Sequence, residues 1–270
     1  MGVKEVEAIK EEIRDHIERY LEIEDVWGCV PSFANPVKEM LVASDDDVCE
    51  VVKKLKVAWN IGEDGILSVT DLLESKNIKV VEIKADSSFD GLSGYVNNDE
   101  NMPFVVVNKS FDVERLRFTG LHELGHLVMN LPEEMEKKDK ERLCNLFASE
   151  MLISRDIFVD VLGERRSDIS LQELKVLQAV YGISVDALMF KAKTVGVISE
   201  SKHTSFCIRK NKSLAFKDAV EKSSYRGVEE SSRFDRLVYR ALASDMISCS
   251  KAAVLLNEPM EEVKNKLELV

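Results

Sequence analysis

The sequence predicts an α+β protein, mainly helical around a small three-stranded sheet and followed by an all-helical C-terminal region. Three observations carry that expectation. Apolar residues recur at helical spacing along most of the chain. Near residues 78–108 the period shifts to three short runs, IKVVEIK, GLSGYVN and FVVVN, two of them rich in β-branched residues. From Val113 onward the pattern returns almost wholly to helix. A chain of 270 residues can hold one large domain or two modest ones.

The elements follow in order. Residues 4–24 carry Val6, Ile9, Ile13, Ile17 and Leu21 on one helical stripe, which offers a face to a partner helix. A loop around residues 27–36 is marked by Gly28, Pro31 and Pro36. Ser44 stands before three aspartates, an N-cap with an acidic first turn, so a helix should run from Asp45 to Trp59. Gly62 and Gly65 end that region, and residues 66–76 read as a helix closed by Asn77. Strands over 78–84, 91–97 and 104–108 should form a mostly antiparallel sheet. Helices are expected over 115–130, 138–153, 155–162, 171–181, 185–194, 234–247 and 260–267, with a short strand at 205–209 inside a loop. The expected organisation is a helical linker or partner-docking region over 1–60, a core over 61–166 and a helical domain over 167–270.

Composition narrows the function classes. Hydrophobic residues at 45% exclude a fully disordered chain. Asp and Glu outnumber Lys and Arg by 49 to 37, a net charge of -12. Phosphate contact needs clustered positive charge, so direct nucleic-acid binding is not expected. No apolar run approaches the roughly 20 residues of a membrane span. The charged N-terminus has no apolar signal core, so a cytoplasmic protein without membrane partners is expected. Cys29, Cys49, Cys144, Cys207 and Cys249 are scattered, with no CxxC pair, and read as free thiols of a reducing compartment.

The chemistry concentrates in Leu121-His122-Glu123-Leu124-Gly125-His126, an H-E-x-x-H on an expected helix. Residues four apart lie on one helical face, so both imidazoles can hold a single Zn²⁺. Glu123 sits beside the first ligand, where its carboxylate can take a proton from zinc-bound water and deliver it to a leaving amine. The bland alternative is a chance match on an amphipathic helix. Against it, Leu121, Leu124, Leu127 and Val128 supply an apolar face, and Gly125 permits close approach of another backbone.

A catalytic zinc needs a third protein ligand and an open position. Only His16 and His203 remain among the histidines, which turns attention to carboxylates. On the next helix Glu141 and Asn145 share a face, one suited to the metal and the other to a hydrogen bond that orients a ligand histidine. Glu133, Glu134, Glu136 and Glu150 compete. The first three read as a solvated loop, and Glu150, nine residues past Glu141, should point elsewhere.

These residues carry a resemblance. His122-Glu-Leu-Gly-His126-Leu-Val, followed by Glu141-x-x-x-Asn145-x-Phe147-Ala148-x-Glu150-Met-Leu-Ile-Ser, resembles the ImmA/IrrE family of bacterial metallo-endopeptidases. There an HELGH helix precedes an E-x-x-A-N-x-F-A-x-x-L-L-x-P segment. The resemblance implies a zincin-like metallopeptidase core with one Zn²⁺ per chain. It implies His122, His126 and Glu141 as metal ligands and Glu123 as general base. Cys144 replaces the usual Ala, and Ser154 stands where Pro is common. A buried cysteine behaves as a small hydrophobe, and a redox role would require exposure and an ionisable thiol.

The likeness extends over most of residues 40–260, through Trp59–Gly62, Asp71–Val80, Asp90–Gly94, Leu171–Ser199 and Phe234–Leu256. The resemblance is to a branch in which an Xre-type helix-turn-helix usually precedes the peptidase, and residues 1–60 show no such motif. It implies cleavage of an Xre-type transcriptional repressor or antitoxin-like protein, often encoded next door, in stress responses, mobile elements or toxin–antitoxin-like pairs. In such folds a strand before the active-site helix receives substrate as an added β-strand. Residues 104–108 are the candidate, against the alternative of a buried central strand. A different class of function shares the site: a zinc-stabilised module that sequesters a repressor or toxin without cutting it.

Weaker features complete the reading. Val180-Tyr-Gly-Ile-Ser184 and the stretch 248–256 resemble parts of a helix-turn-helix, but the flanking helices lack a dense basic face. Lys202, Arg209, Lys210, Lys212 and Lys217 form a locally basic stretch that reads as a solvated loop. His203, Tyr181 and Tyr225 are possible oxyanion donors, none selected by a motif, and His16 reads as a surface residue.

Overall fold

A computed structural model describes residues 3–28, 32–98 and 101–268; Cys29 and Pro31 lie outside them. In chain order the helices begin with α1 (Val3–Val26), α2 (Asp45–Trp59) and α3 (Val69–Ser75). Strands β1 (Lys79–Ile83), β2 (Gly91–Tyr95) and β3 (Pro103–Asn108) follow. Then come α4 (Val113–Val128), α5 (Lys137–Leu152), α6 (Arg155–Leu162), α7 (Leu171–Tyr181), α8 (Val185–Thr194) and α9 (Glu200–Lys212). The chain closes with α10 (Leu214–Glu221), α11 (Arg233–Ala243), α12 (Cys249–Leu256) and α13 (Met260–Glu268). The class is the expected one, α+β and mainly helical with one small sheet among the described residues.

The chain forms two compact units. One comprises the residues up to Ala34, Thr70–Ser110 and those from Glu230 onward; the other comprises Asn35–Val69 and Phe111–Glu229. Both are discontinuous in sequence, so their divisions do not fall at 60 and 166. Contacts between distant segments define them, and composition does not record such contacts.

In the first unit the strand order is β1-β3-β2. β1 runs parallel to β3, with Lys79 opposite Phe104, and β2 runs antiparallel, with Gly91 opposite Val107. The sheet is therefore mixed, not mostly antiparallel. β3 is the central strand and pairs along both edges, so it has no free edge for an added substrate strand. Helix α1 lays Ile9, Ile13 and Ile17 against Val81, Ile83, Phe89, Val96 and Val106. Tyr20 and Ile23 then pack with Phe234, Val238, Ala252, Leu255 and Val263. The stripe expected to dock a partner helix is thus covered within the chain, each buried aliphatic side chain contributing roughly 1.5–3 kcal/mol.

His16 is a second correction in this unit. It is no surface residue: its ring packs 5.1 Å from Phe234, and its Nε2 is buried without a hydrogen-bond partner. Burial, helped by nearby Arg19, lowers its pKa to about 4.

In the second unit α2 starts where Ser44 predicts. Ser44 Oγ accepts from Asp47 N at 3.3 Å, and the Asp47 carboxylate accepts from Ser44 N at 2.9 Å, a reciprocal capping box. Helix α4 is capped by Asp112, which accepts from Arg115 N at 3.0 Å. It packs against α5, and α5 against α2. A Cβ at Gly125 would stand 3.2 Å from the Phe147 ring, so this glycine admits an aromatic side chain of α5 and not another backbone. The strand and loop expected around 205–209 are absent there: Ser199 caps a continuous α9 that spans them.

Candidate metal centre

The three side chains expected to share a metal come together on two packed helices. His122 and His126 stand one turn apart on α4, and their Nε2 atoms lie 3.1 Å from each other. From α5, Glu141 Oε2 reaches 3.2 Å from His122 Nε2 and 3.7 Å from His126 Nε2. One ligand atom from each of the three fits within 4.8 Å, close enough to hold one metal ion. Their side chains are 15%, 29% and 42% exposed, so the cluster is reachable from solvent.

The ring orientation matters as much as the distances. Asn145 Oδ1 lies 3.0 Å from His122 Nδ1. An amide oxygen only accepts, so Nδ1 carries the proton and Nε2 presents a lone pair. Two imidazole nitrogens and a carboxylate oxygen form the donor set of a first-row divalent cation with borderline softness.

The competing carboxylates are placed elsewhere. Glu133, Glu134 and Glu136 are exposed ahead of α5. Glu150 is buried, pairs with the Lys191 ammonium and accepts from Arg155 N at 2.8 Å at the start of α6. Glu123 follows His122 on α4 and is 8% exposed.

Cys144 stands on α5 beside Asn145. It is fully buried, and its Sγ stands 3.4 Å from His126 Nδ1. Burial, with the charges of Glu141 and Glu123, pushes its thiol up to about 12, which disfavours the thiolate a redox role would use.

The weaker readings also find their places. Tyr225 donates its hydroxyl to the Leu67 carbonyl at 2.8 Å and accepts from Arg117 at 2.8 Å, so that hydroxyl is engaged structurally. His203 faces the Phe190 ring and Cys207. Ser184 caps α8, accepting from Ala187 N at 3.2 Å. Both lysines of α8 are paired, Lys191 with Glu150 and Lys193 with Glu200. The basic stretch is helical, not a loop, and partly neutralised: Lys202 pairs with Asp168, and Lys210 with Asp186 and Glu221.

The stretch that contains this cluster also has a family. Residues 73–193 match the IrrE N-terminal-like domain of the M78 peptidases, a match that spans β1 through α8. No curated protein matches the chain. His122, His126 and Glu141 all lie inside the matched stretch, so residues 73–193 form a domain similar to that of the M78 metallopeptidases.

Proposed function

We propose that this protein is a zinc-dependent endopeptidase that cleaves a transcriptional repressor or antitoxin-like protein. The observation that carries the metal assignment is the convergence of His122 Nε2, His126 Nε2 and Glu141 Oε2 within one ligation sphere. When bound, zinc would polarise the scissile carbonyl and acidify water, lowering its pKa toward about 7. His122, His126 and Glu141 would hold the ion, and Asn145 fixes the His122 ring. Glu123 takes a proton from the attacking water and passes it to the leaving amine, a transfer worth about 10²–10⁴-fold in rate. The substrate class rests on the family resemblance, in which repressors of the Xre type are cut.

The test mixes zinc-loaded protein with the repressor-like product of the neighbouring gene, with Glu123→Gln in parallel and intact-mass spectrometry as the readout. Wild type should yield two fragments, and Glu123→Gln should cleave at least about 100-fold more slowly while keeping its zinc. Equal cleavage by the variant refutes the role of Glu123. An intact repressor that co-elutes with both proteins identifies the non-cleaving, sequestering module instead.

A further inference from the structure

Resting on the same metal-site reading, we infer that Cys144 is a positioning residue for His126: its sulfur accepts a hydrogen bond from His126 Nδ1–H and thereby presents an unprotonated Nε2 to the metal. Sγ lies 3.4 Å from Nδ1, on the side of the ring away from Glu141, and the cysteine is fully buried. The site thus holds both histidines by the same device. Asn145 takes the far nitrogen of His122, and its neighbour Cys144 takes the far nitrogen of His126.

The helix geometry explains how consecutive residues serve two ligands. Successive side chains on α5 diverge by about 100°. Across from them, His122 and His126 are one turn apart on α4, so each partner meets a different ring. A ligating histidine needs a partner on its second nitrogen to fix its tautomer and orientation. Thioether and thiol sulfurs are weak acceptors, so the sulfur contributes less than the Asn145 oxygen does. The resembling motif has alanine at this position, which makes Cys144 a feature of this chain and Cys144→Ala a conservative removal.

The experiment combines ¹⁵N NMR of histidine-labelled protein with zinc affinity from chelator competition, on wild type, Cys144→Ala and Cys144→Ser. Metal-free wild type should carry the His126 proton on Nδ1. Cys144→Ala should shift that tautomer balance and weaken zinc binding by about 10-fold, the lower end for loss of such a partner. Cys144→Ser, which restores an acceptor, should return affinity to within about 3-fold of wild type. A Cys144→Ala protein with the wild-type His126 spectrum and wild-type affinity overturns the inference. So does a metal-free wild type whose His126 proton sits on Nε2, a measurement that needs no variant to fold. Absence of zinc binding by wild type would instead defeat the metallopeptidase reading, and the metal-free tautomer would still decide the role of Cys144.

Discussion

Helix α4 treats charge in opposite ways on its two faces. On one face Arg117 is completely buried, and acceptors surround its guanidinium. It donates to the carbonyls of Ile66 at 2.6 Å, Gly182 at 3.2 Å and Tyr181 at 3.3 Å, to the Tyr225 hydroxyl and to the Glu229 carboxylate. Gly182 is required there, since a Cβ would fall 2.3 Å from Arg117 Nε. On the other face two imidazole nitrogens and a carboxylate oxygen converge, all able to act as electron-pair donors and all partly open to solvent. A buried charge whose hydrogen bonds close inside the protein holds the fold together. A cluster of acceptors facing one another calls for a cation to close it.

That contrast can be broken from either side. The largest effect should come from Arg117→Ala, which removes the cationic partner of the buried Glu229 carboxylate and leaves it the hydrogen bonds from Val69 N and Ser68 Oγ. Urea unfolding should show a loss of about 3–5 kcal/mol, and a loss below 1 kcal/mol would show that the clasp matters little. Lysine should not rescue it, because an ammonium cannot reproduce the planar fork. Glu141→Ala should act on the opposite face only. At zinc concentrations about a thousandfold over the dissociation constant, wild type should gain about 4 kcal/mol of stability. The variant should lose most of that gain while its zinc-free stability stays close to wild type. An unchanged zinc-linked gain would point to another third ligand.

The smallest effect sharpens the comparison by way of a different histidine. His122 has partners on both ring nitrogens, whereas His16 has a buried Nε2 with none among the described residues. The folded pKa of His16, about 4, lies below its ordinary 6.5, so the unfolded chain takes up the proton first as pH falls. Stability from this site is intact above pH 6.5 and declines toward pH 4, by at most about 3 kcal/mol. A His16→Phe variant should lack this part of the slope between pH 6.5 and 4. Identical slopes in the two proteins would mean that His16 is not held neutral.

Local chemistry was legible wherever one short segment decided the outcome. Ser44 and its aspartates announced the start of α2, and the capping box forms there. The H-E-x-x-H spacing put His122 and His126 on one helical face, and Glu141 with Asn145 on the facing surface of α5. Three strands were readable from β-branched runs, but their order was not. That order depends on which edge each strand finds, and it placed β3 in the centre. The basic stretch near residue 210 looked like a loop because its polar residues mask the helical period. Only Phe206 of α9 is buried, so the apolar signal was a single residue.

Arg117 shows most clearly where sequence reading stops. It lies five residues before His122 in an otherwise ordinary helical pattern, and nothing in its neighbours signals a buried charge. Its partners come from residues 66, 67, 181, 182, 225 and 229, brought together only when the chain folds. Cys144 is similar: its burial was guessed, but its contact with His126 depends on how α5 packs on α4. The sequence by itself determined the helical periods, the caps and the one-turn spacing of His122 and His126, because these arise from interactions a few residues apart. Tertiary structure alone decided the mixed sheet, the discontinuous units, the covering of the α1 stripe and the partners of Arg117 and His126. Those depend on which distant surfaces meet, and burial and hydrogen bonding settle that only in the assembled chain.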